Sequence, residues 1–343
     1  MQPETFATPA PVPKLLQRIP EAWRGQLAVL ALGALALITA AWREWGEMVH
    51  QWWNIDTYTH VLLVPVIIAW LVAQKREELA KITPEGWWPG LLVVGAGLGL
   101  WLIGRTTGIN LLAHAGAVGA LQGAVIAVIG LRASLVLALP IAFGVFLVPF
   151  GDEIIPPLQM ITADIAITLT HWSGIPAEVD GIYIDTPIGL FIVAEACSGV
   201  RFLVAMVTLA VLVGFTRFTS WSRRAWFMLA AVVVPIISNG VRAWGTIYIA
   251  QSQGVEFAAG FDHIFYGWIF FAIIVALLLA AAWRFFERDP QDFGWSAGQV
   301  AAFPLTARLE VFSASKVVLT AAMAALAISA AILATIVAPA ALG

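Results

Sequence analysis

Cys197, Arg242 and His263 are the residues of this 343-residue chain whose types could build a covalent catalyst. Cys197 is the only cysteine, and it stands in Glu195-Ala196-Cys197-Ser198-Gly199-Val200-Arg201, where a polar segment turns into an apolar run. A single thiol forms no intramolecular disulfide, and free cysteine in a membrane helix is most often a small packing hydrophobe. At a helix mouth, however, unpaired N–H groups and the helix dipole favour an anion, so the residue becomes a candidate nucleophile if partners are near. A cysteine that attacks a carbonyl needs a base or cation beside it and a donor for the oxyanion. Arg242, in Ser238-Asn239-Gly240-Val241-Arg242, and His263, in Phe261-Asp262-His263-Ile264-Phe265-Tyr266-Gly267-Trp268, are the candidates for those parts. Asn239 lies three residues before Arg242 on the same helix face and can orient it. Arg201 follows Cys197 by one helical turn and shares its face if one helix carries both; the alternative is an ion pair with Glu195 or Asp262. Glu195 itself reads as structural or as a supporting partner. Taken alone each of these residues has a plain explanation: Arg242 can snorkel to headgroups, and a histidine at a helix mouth is commonly an interfacial polar residue.

The elements that must position them are membrane helices. The chain is 61% hydrophobic and 11% charged, with 16 tryptophans and a mean hydropathy of +0.89. Such a composition excludes an ordinary soluble domain and fits an all-α polytopic membrane protein. A net charge of -3 gives no reason to expect a nucleic-acid partner. Apolar runs fall near 26–42, 59–73, 88–104, 109–130, 133–149, 198–216, 225–250, 264–283 and 317–338. Each is about long enough to cross a bilayer, so nine crossings are expected, with eight or ten as neighbouring counts. The runs are continuous rather than alternating, which excludes a β-barrel. Residues 1–25, polar and rich in proline, read as a disordered tail without a cleavable signal peptide.

Basic residues orient the bundle. Lys14, Arg18 and Arg24, then Lys75, Arg76 and Lys81, then Arg217, Arg223 and Arg224, and finally Arg284, Arg288, Arg308 and Lys316 fall on one side, which the positive-inside rule makes cytoplasmic. The longest loop on the other side, residues 151–196, has no Lys or Arg but carries Asp152, Glu153, Asp164, Glu178, Asp180, Asp185 and Glu195. Within it Ile154, Ile155, Leu158, Ile161, Ile165, Leu169 and Trp172 recur at helical spacing and predict an amphipathic interfacial helix, or a re-entrant one. Gly181–Ile184 and Leu190–Val193 flank Asp185-Thr186-Pro187-Ile188-Gly189 and predict a β-hairpin that delivers Cys197 to the surface, with an edge able to hold an extended peptide. The sixth span then runs inward from Cys197, the seventh outward through Arg242 and the eighth inward from His263. All three side chains are thus expected at one depth near the outer leaflet. An arginine within a span is costly unless paired or lining a polar cavity, which makes Arg242 a functional pointer.

Glu-Ala-Cys-Ser-Gly (195–199), Asn-Gly-Val-Arg (239–242) and His-Ile-Phe-Tyr-Gly-Trp (263–268), in that order on successive helices, closely resemble the exosortase/archaeosortase family of membrane transpeptidases over roughly residues 30–285. The resemblance implies Cys197 as nucleophile with Arg242 and His263 completing the site. It implies substrates that are tail-anchored envelope proteins with a C-terminal sorting signal: a short motif such as Pro-Glu-Pro (PEP-CTERM), a transmembrane helix and a basic cluster. A thioester at Cys197 would be resolved by an amine, another acceptor or water, with no metal and no cofactor. The expected location is the bacterial inner membrane, N-terminus cytoplasmic and active site at the outer face, in contact with membrane lipids. The expected domain plan is a tail at 1–25, a catalytic transmembrane core at 26–284, a cytoplasmic linker at 285–315 and an additional helix at 316–343. That last helix departs from many relatives and reads best as a packing helix. Two rival classes remain at this stage. A transporter or export subunit fits the hydropathy, although no inverted repeat is evident and the polar residues gather at one face rather than at mid-bilayer. A purely hydrolytic membrane protease fits the same residues. A haem-bearing subunit is disfavoured, since His60, His114, His171 and His263 give no convincing axial pair.

Overall fold

The computed structural model describes residues 20–255 and 269–337. Its helices are α1 (Glu21–Ala40), α2 (Trp42–Asn54), α3 (Val64–Gln74), α4 (Gly90–Thr107), α5 (Asn110–Val136), α6 (Ala138–Phe143), α7 (Ile155–Trp172), α8 (Val200–Arg217), α9 (Trp221–Gln253), α10 (Phe271–Trp283) and α11 (Lys316–Val337), with shorter turns between them. Three strands, β1 (Glu178–Asp180), β2 (Tyr183–Thr186) and β3 (Gly189–Ile192), stand between α7 and α8. The chain is a multi-pass membrane protein. Six described helices are long and apolar enough to cross a bilayer: α1, α4, α5, α8 with the turn before it, α9 and α11. The count rises to eight if two bent pairs are each one span: α2 with Thr59–Gln74, bent by 106°, and Ala138–Leu147 with Asp152–Trp172, bent by 66°.

The described residues thus hold six to eight candidate crossings, against the nine, or eight, expected from the sequence. The run at 59–73 yields a 3-10 turn, Thr59–Leu63, and the 11-residue α3, whose α-helical part rises about 16 Å at 1.5 Å per residue, half of a hydrocarbon core. The run at 133–149 is divided between the end of α5 and the six-residue α6. The run at 264–283 is described from Ile269, and α10 covers 13 residues. The tail expectation is shortened too, because α1 begins at Glu21 and Trp23 is buried; residues 1–19 lie outside the described residues.

The chain splits into two compact units. One comprises Met1–Gly46, Ile68–Val145 and Trp295–Gly343. Its centre is the pairing of α4 with α5; α1 runs beside α5, and α11 beside α1 and α4. Gly90, Gly97 and Gly104 recur every seven residues on α4 and face Ala127, Ala120 and Ala113 of α5, while Gly116 and Gly123 of α5 meet Trp101 and Val94. A Cβ on Gly97 would fall on the main-chain nitrogen of Ala120. Small residues thus bring the two backbones together, the usual route to helix association where lipid removes the hydrophobic drive between helices. The stretch expected as a linker carries the short helices Ala297–Ala302 and Pro304–Leu309, and Ala297 and Val300 join a core with Trp23, Ile82, Ile129 and Val136. Leu319, Met323 and Ala327 of α11 are buried, and Met323 lies against Gly33 of α1.

The other unit comprises Glu47–Ile67 and Phe146–Gly294. Its frame is α7 against α9, α8 against α9, and α10 against α9. The sheet has the order β1-β2-β3, antiparallel throughout. The expected hairpin is present, with Tyr183 opposite Ile192 and Thr186 opposite Gly189, and a third strand extends it on the β2 side. Ile184, fully buried, inserts the sheet into a core with Ala163, Ala166 and Ile167 of α7, Val193, and Ile247 of α9. α7 is a helix as expected, but its buried face is Leu158, Gln159, Thr162, Ala163, Ala166, Ile167 and Thr170, while Ile161 and Trp172 are exposed. A small, partly hydroxylated face packs better against α9, where Ile165 approaches so near Gly240 that no Cβ fits.

Candidate active site

Cys197 lies in a single 3-10 turn, Glu195–Cys197, closed by its own N–H donating to Ala194 C=O at 2.8 Å. The helix that follows begins only at Val200, because Gly199 adopts φ +82°. That left-handed conformation suits glycine, and a Cβ there would in addition sit 2.7 Å from Cγ of Asn239. The expected sharing of one helix face by Cys197 and Arg201 is therefore not realised: Gly199 breaks the helical register between them. Arg201 turns elsewhere and pairs with Asp56 at 3.5 Å, rather than with Glu195. Glu195 is exposed, and its main-chain carbonyl accepts from Ser198 N–H at 3.0 Å.

Two polar residues of α7 and one of α9 hold the loop that carries the thiol. Asn239 is buried, and its Nδ2 donates to the Cys197 carbonyl at 2.7 Å and to Thr162 Oγ1 at 3.0 Å. Its Oδ1 accepts from Arg242 Nη1 at 3.4 Å. Gln159 Nε2 donates to Val193 C=O at 2.8 Å, fixing the other end of the loop, and Thr162 Oγ1 is 3.5 Å from the Ser198 carbonyl. Every one of these side chains is buried, so each bond is made where water cannot replace it. Gln159 and Thr162 hold the thiol-bearing loop, and sequence reasoning missed them. Their only signal was two polar groups three residues apart on an apolar helix, and the large apolar residues beside them drew attention to the opposite face.

Arg242 projects from α9 into the same place. Its guanidinium is buried, lies 5.9 Å from the ring centroid of Phe202, and belongs with Cys197 to a cleft of about 70 Å³. Ile184, Phe191, Ile192, Val193, Ala243 and Ile247 give that cleft apolar walls. Phe202 is itself stacked on Phe271 at 4.7 Å, which fixes the ring the cation faces. The structure thus brings together Cys197, Arg242 and Asn239 of the expected site; Arg201 pairs with Asp56 while its guanidinium lies 5.9 Å from the centroid of the same Phe202 ring, and the Glu195 side chain is exposed. His263 lies outside the described residues, as does Asp262. Among the described residues no group of three His, Cys, Asp or Glu side chains is placed to hold a metal ion.

A half-buried thiol and a buried arginine in one small apolar cleft, at the mouth of a membrane-spanning helix, define a membrane protein with a candidate covalent site at the end of its bundle. The family model for transmembrane exosortases (EpsH) matches residues 52–280, and the chain belongs to that family. A comparison with curated proteins gave no match, and a comparison with solved structures gave none. The matched segment contains the whole of the candidate site and ends before α11.

Proposed function

We propose that this exosortase-family protein is a membrane-embedded cysteine transpeptidase that cleaves the C-terminal sorting signal of tail-anchored envelope proteins. The observation that carries the reading is Asn239, which bonds the carbonyl of Cys197 with one end of its amide and Arg242 with the other. A packing cysteine needs no such bracket; a nucleophile that must meet a carbonyl within fractions of an ångström does. In the proposed reaction, Cys197 Sγ attacks the carbonyl that follows the recognition motif. Arg242 stabilises the oxyanion and positions the chain. His263 takes the thiol proton and passes it to the departing amine as the C–N bond breaks, releasing the membrane tail. The resulting thioester is resolved by an amine, another acceptor or water, with His263 as base. The substrate's own helix lies against the bundle, its basic end cytoplasmic and its motif at the level of Cys197, which faces the outer side of the bacterial inner membrane.

Co-expression with a candidate tail-anchored substrate tests this. Processing is expected in the wild type and lost in Cys197→Ala, Arg242→Ala and His263→Ala; processing that survives Cys197→Ala refutes the nucleophile. The mass of the new substrate C-terminus separates transfer from hydrolysis. A membrane-impermeant thiol reagent applied to intact cells is expected to label Cys197.

A further inference from the structure

The sheet beside the thiol has an open edge. β1 pairs with β2 and β2 with β3, so among the described residues β3 is bonded on one side only. The register fixes which of its main-chain groups are committed. Val193 N–H donates to Ile182 C=O at 2.9 Å, and bonded and non-bonded pairs alternate along an antiparallel ladder. Ile184 with Phe191 is therefore a bonded pair, whereas Tyr183 with Ile192 and Asp185 with Leu190 are not. The main-chain groups of Leu190 and Ile192 point away from β2. The Ile192 carbonyl accepts from Ala194 N–H at 2.9 Å. Leu190 N–H and C=O and Ile192 N–H are left facing outward.

Two of these groups, Leu190 C=O and Ile192 N–H, match a parallel neighbour. In a parallel ladder one residue of the incoming strand donates to the carbonyl before its partner and accepts from the N–H after it. Opposite Phe191, those two groups are Leu190 C=O and Ile192 N–H. An antiparallel neighbour would instead need both groups of one residue; Ile192, beside the thiol, cannot supply them because its carbonyl is already bonded, which leaves such a strand only Leu190, two residues further from Cys197.

We propose that the outer edge of β3 binds the substrate segment immediately before the scissile bond, as an extended peptide parallel to β3. The proposal rests on the reading that Cys197 attacks a substrate continuing into a membrane helix. Phe191 and Ile192 line the same cleft as Cys197, so a peptide on this edge is delivered to the thiol. Direction follows from the position of the site at the mouth of α8. A parallel peptide leads its scissile carbonyl past Ile192 to Cys197 and sends the residues after it to the level where the span begins. An antiparallel one would carry the downstream residues back along the hairpin, away from the membrane. The cleft of about 70 Å³, against roughly 30 Å³ for one water, takes one small apolar side chain. Main-chain pairing supplies the affinity and this pocket the selectivity, the division of labour in other strand-addition complexes.

The test uses the full-length protein in detergent and two thiol reagents. Acetyl-Ala-Ala-Val-Ala chloromethyl ketone and iodoacetamide both form an Sγ–C bond at Cys197 and expel halide, but only the first has a main chain to pair. Ile192→Pro removes the outward N–H without touching the bonds to β2, as proline is tolerated on an open edge. It is expected to slow the peptidyl reagent about three- to tenfold more than it slows iodoacetamide, the worth of one main-chain hydrogen bond. Reagents N-methylated at successive residues, used on the wild type, probe the same edge without a mutation: alternate positions are expected to lose reactivity. Equal loss at every position, or none, overturns the edge. A peptidyl rate that Ile192→Pro slows no more than the iodoacetamide rate, in a protein that still processes its substrate, overturns the edge and spares the nucleophile. Processing that survives Cys197→Ala overturns both.

Discussion

The α4–α5 seam and the α7–α9 seam solve helix packing in opposite ways. The first is made by small residues: Gly97, Gly104, Gly116 and Gly123 let two backbones touch. The second is made of bonds, with Gln159, Thr162 and Asn239 reaching across to main-chain carbonyls of a loop that belongs to neither helix. A glycine seam holds two helices and nothing else. A polar seam can also hold a third piece of chain in one place, at the expense of buried groups that must all be satisfied. The unit with the polar seam is the one that carries the thiol. Stability and positioning are thus separable in this protein, and substitutions should separate them.

The largest effect is expected in the glycine seam. Gly97→Leu drives a side chain into the α5 backbone, which cannot shift as a flexible side chain does, and should cost about 3 kcal/mol or more. The folded yield after detergent extraction and the midpoint of thermal unfolding both measure it. Gly99 lies on the same helix, and a methyl group there would meet nothing within 4 Å. Gly99→Ala should therefore leave the midpoint unchanged or stabilise by up to about 1 kcal/mol through helix propensity. Equal losses at Gly97 and Gly99 would show that the seam is no tighter than the rest of α4.

Asn239→Leu comes next and should show the reverse pattern. It keeps the volume but strands the Cys197 carbonyl and the Arg242 guanidinium contact, so substrate processing should fall about a hundredfold. The unfolding midpoint should drop less than for Gly97→Leu. A midpoint that collapses as far as in the glycine variant would make Asn239 a structural residue. Gln159 holds only the far end of the loop, at Val193. Gln159→Leu is expected to slow processing about tenfold, since one buried carbonyl loses one donor.

How much of this was legible from the chain follows from the same contrast. Cys197, Asn239 and Arg242 announce themselves because thiol, amide and guanidinium are rare in apolar runs, and the strings at 195–199 and 239–242, with the one at 263–268, carry the family likeness. The hairpin was legible from Pro187 and Gly189 between two β-type runs. Hydropathy picks out Ile161 and Trp172 and so marks α7 as a helix, but it is silent on the face that packs against α9, where close approach favours Thr162, Ala163 and Ala166. The helical link from Cys197 to Arg201 failed for a backbone reason. Gly199 looks like a harmless small residue in an apolar run, and only its positive φ reveals that the helix starts after it. Hydropathy reports apolar length without reporting bends, and two of the nine runs, 59–73 and 133–149, contribute to bent pairs.

The smallest effect lies away from both seams, at the turn between α8 and α9. Glu287 accepts from the main-chain N–H of Ser220 at 2.8 Å and from both the hydroxyl and the N–H of Thr219, with Arg223 at 3.1 Å. Those bonds, the Ser220 N–H foremost, pull its carboxyl down from 4.5 to about 2. A carboxylate whose folded value is depressed stabilises the fold above its unfolded value, and the contribution disappears as pH falls through the folded one. Glu287→Gln should therefore lower the unfolding midpoint slightly at pH 7. The difference from wild type should narrow as pH falls from about 4.5 towards about 2, while processing measured at pH 7 stays at the wild-type rate. A constant difference across that range would mean that the turn depends on the shape of Glu287 and not on its charge, and a loss of processing at pH 7 would tie this turn to the thiol-bearing loop.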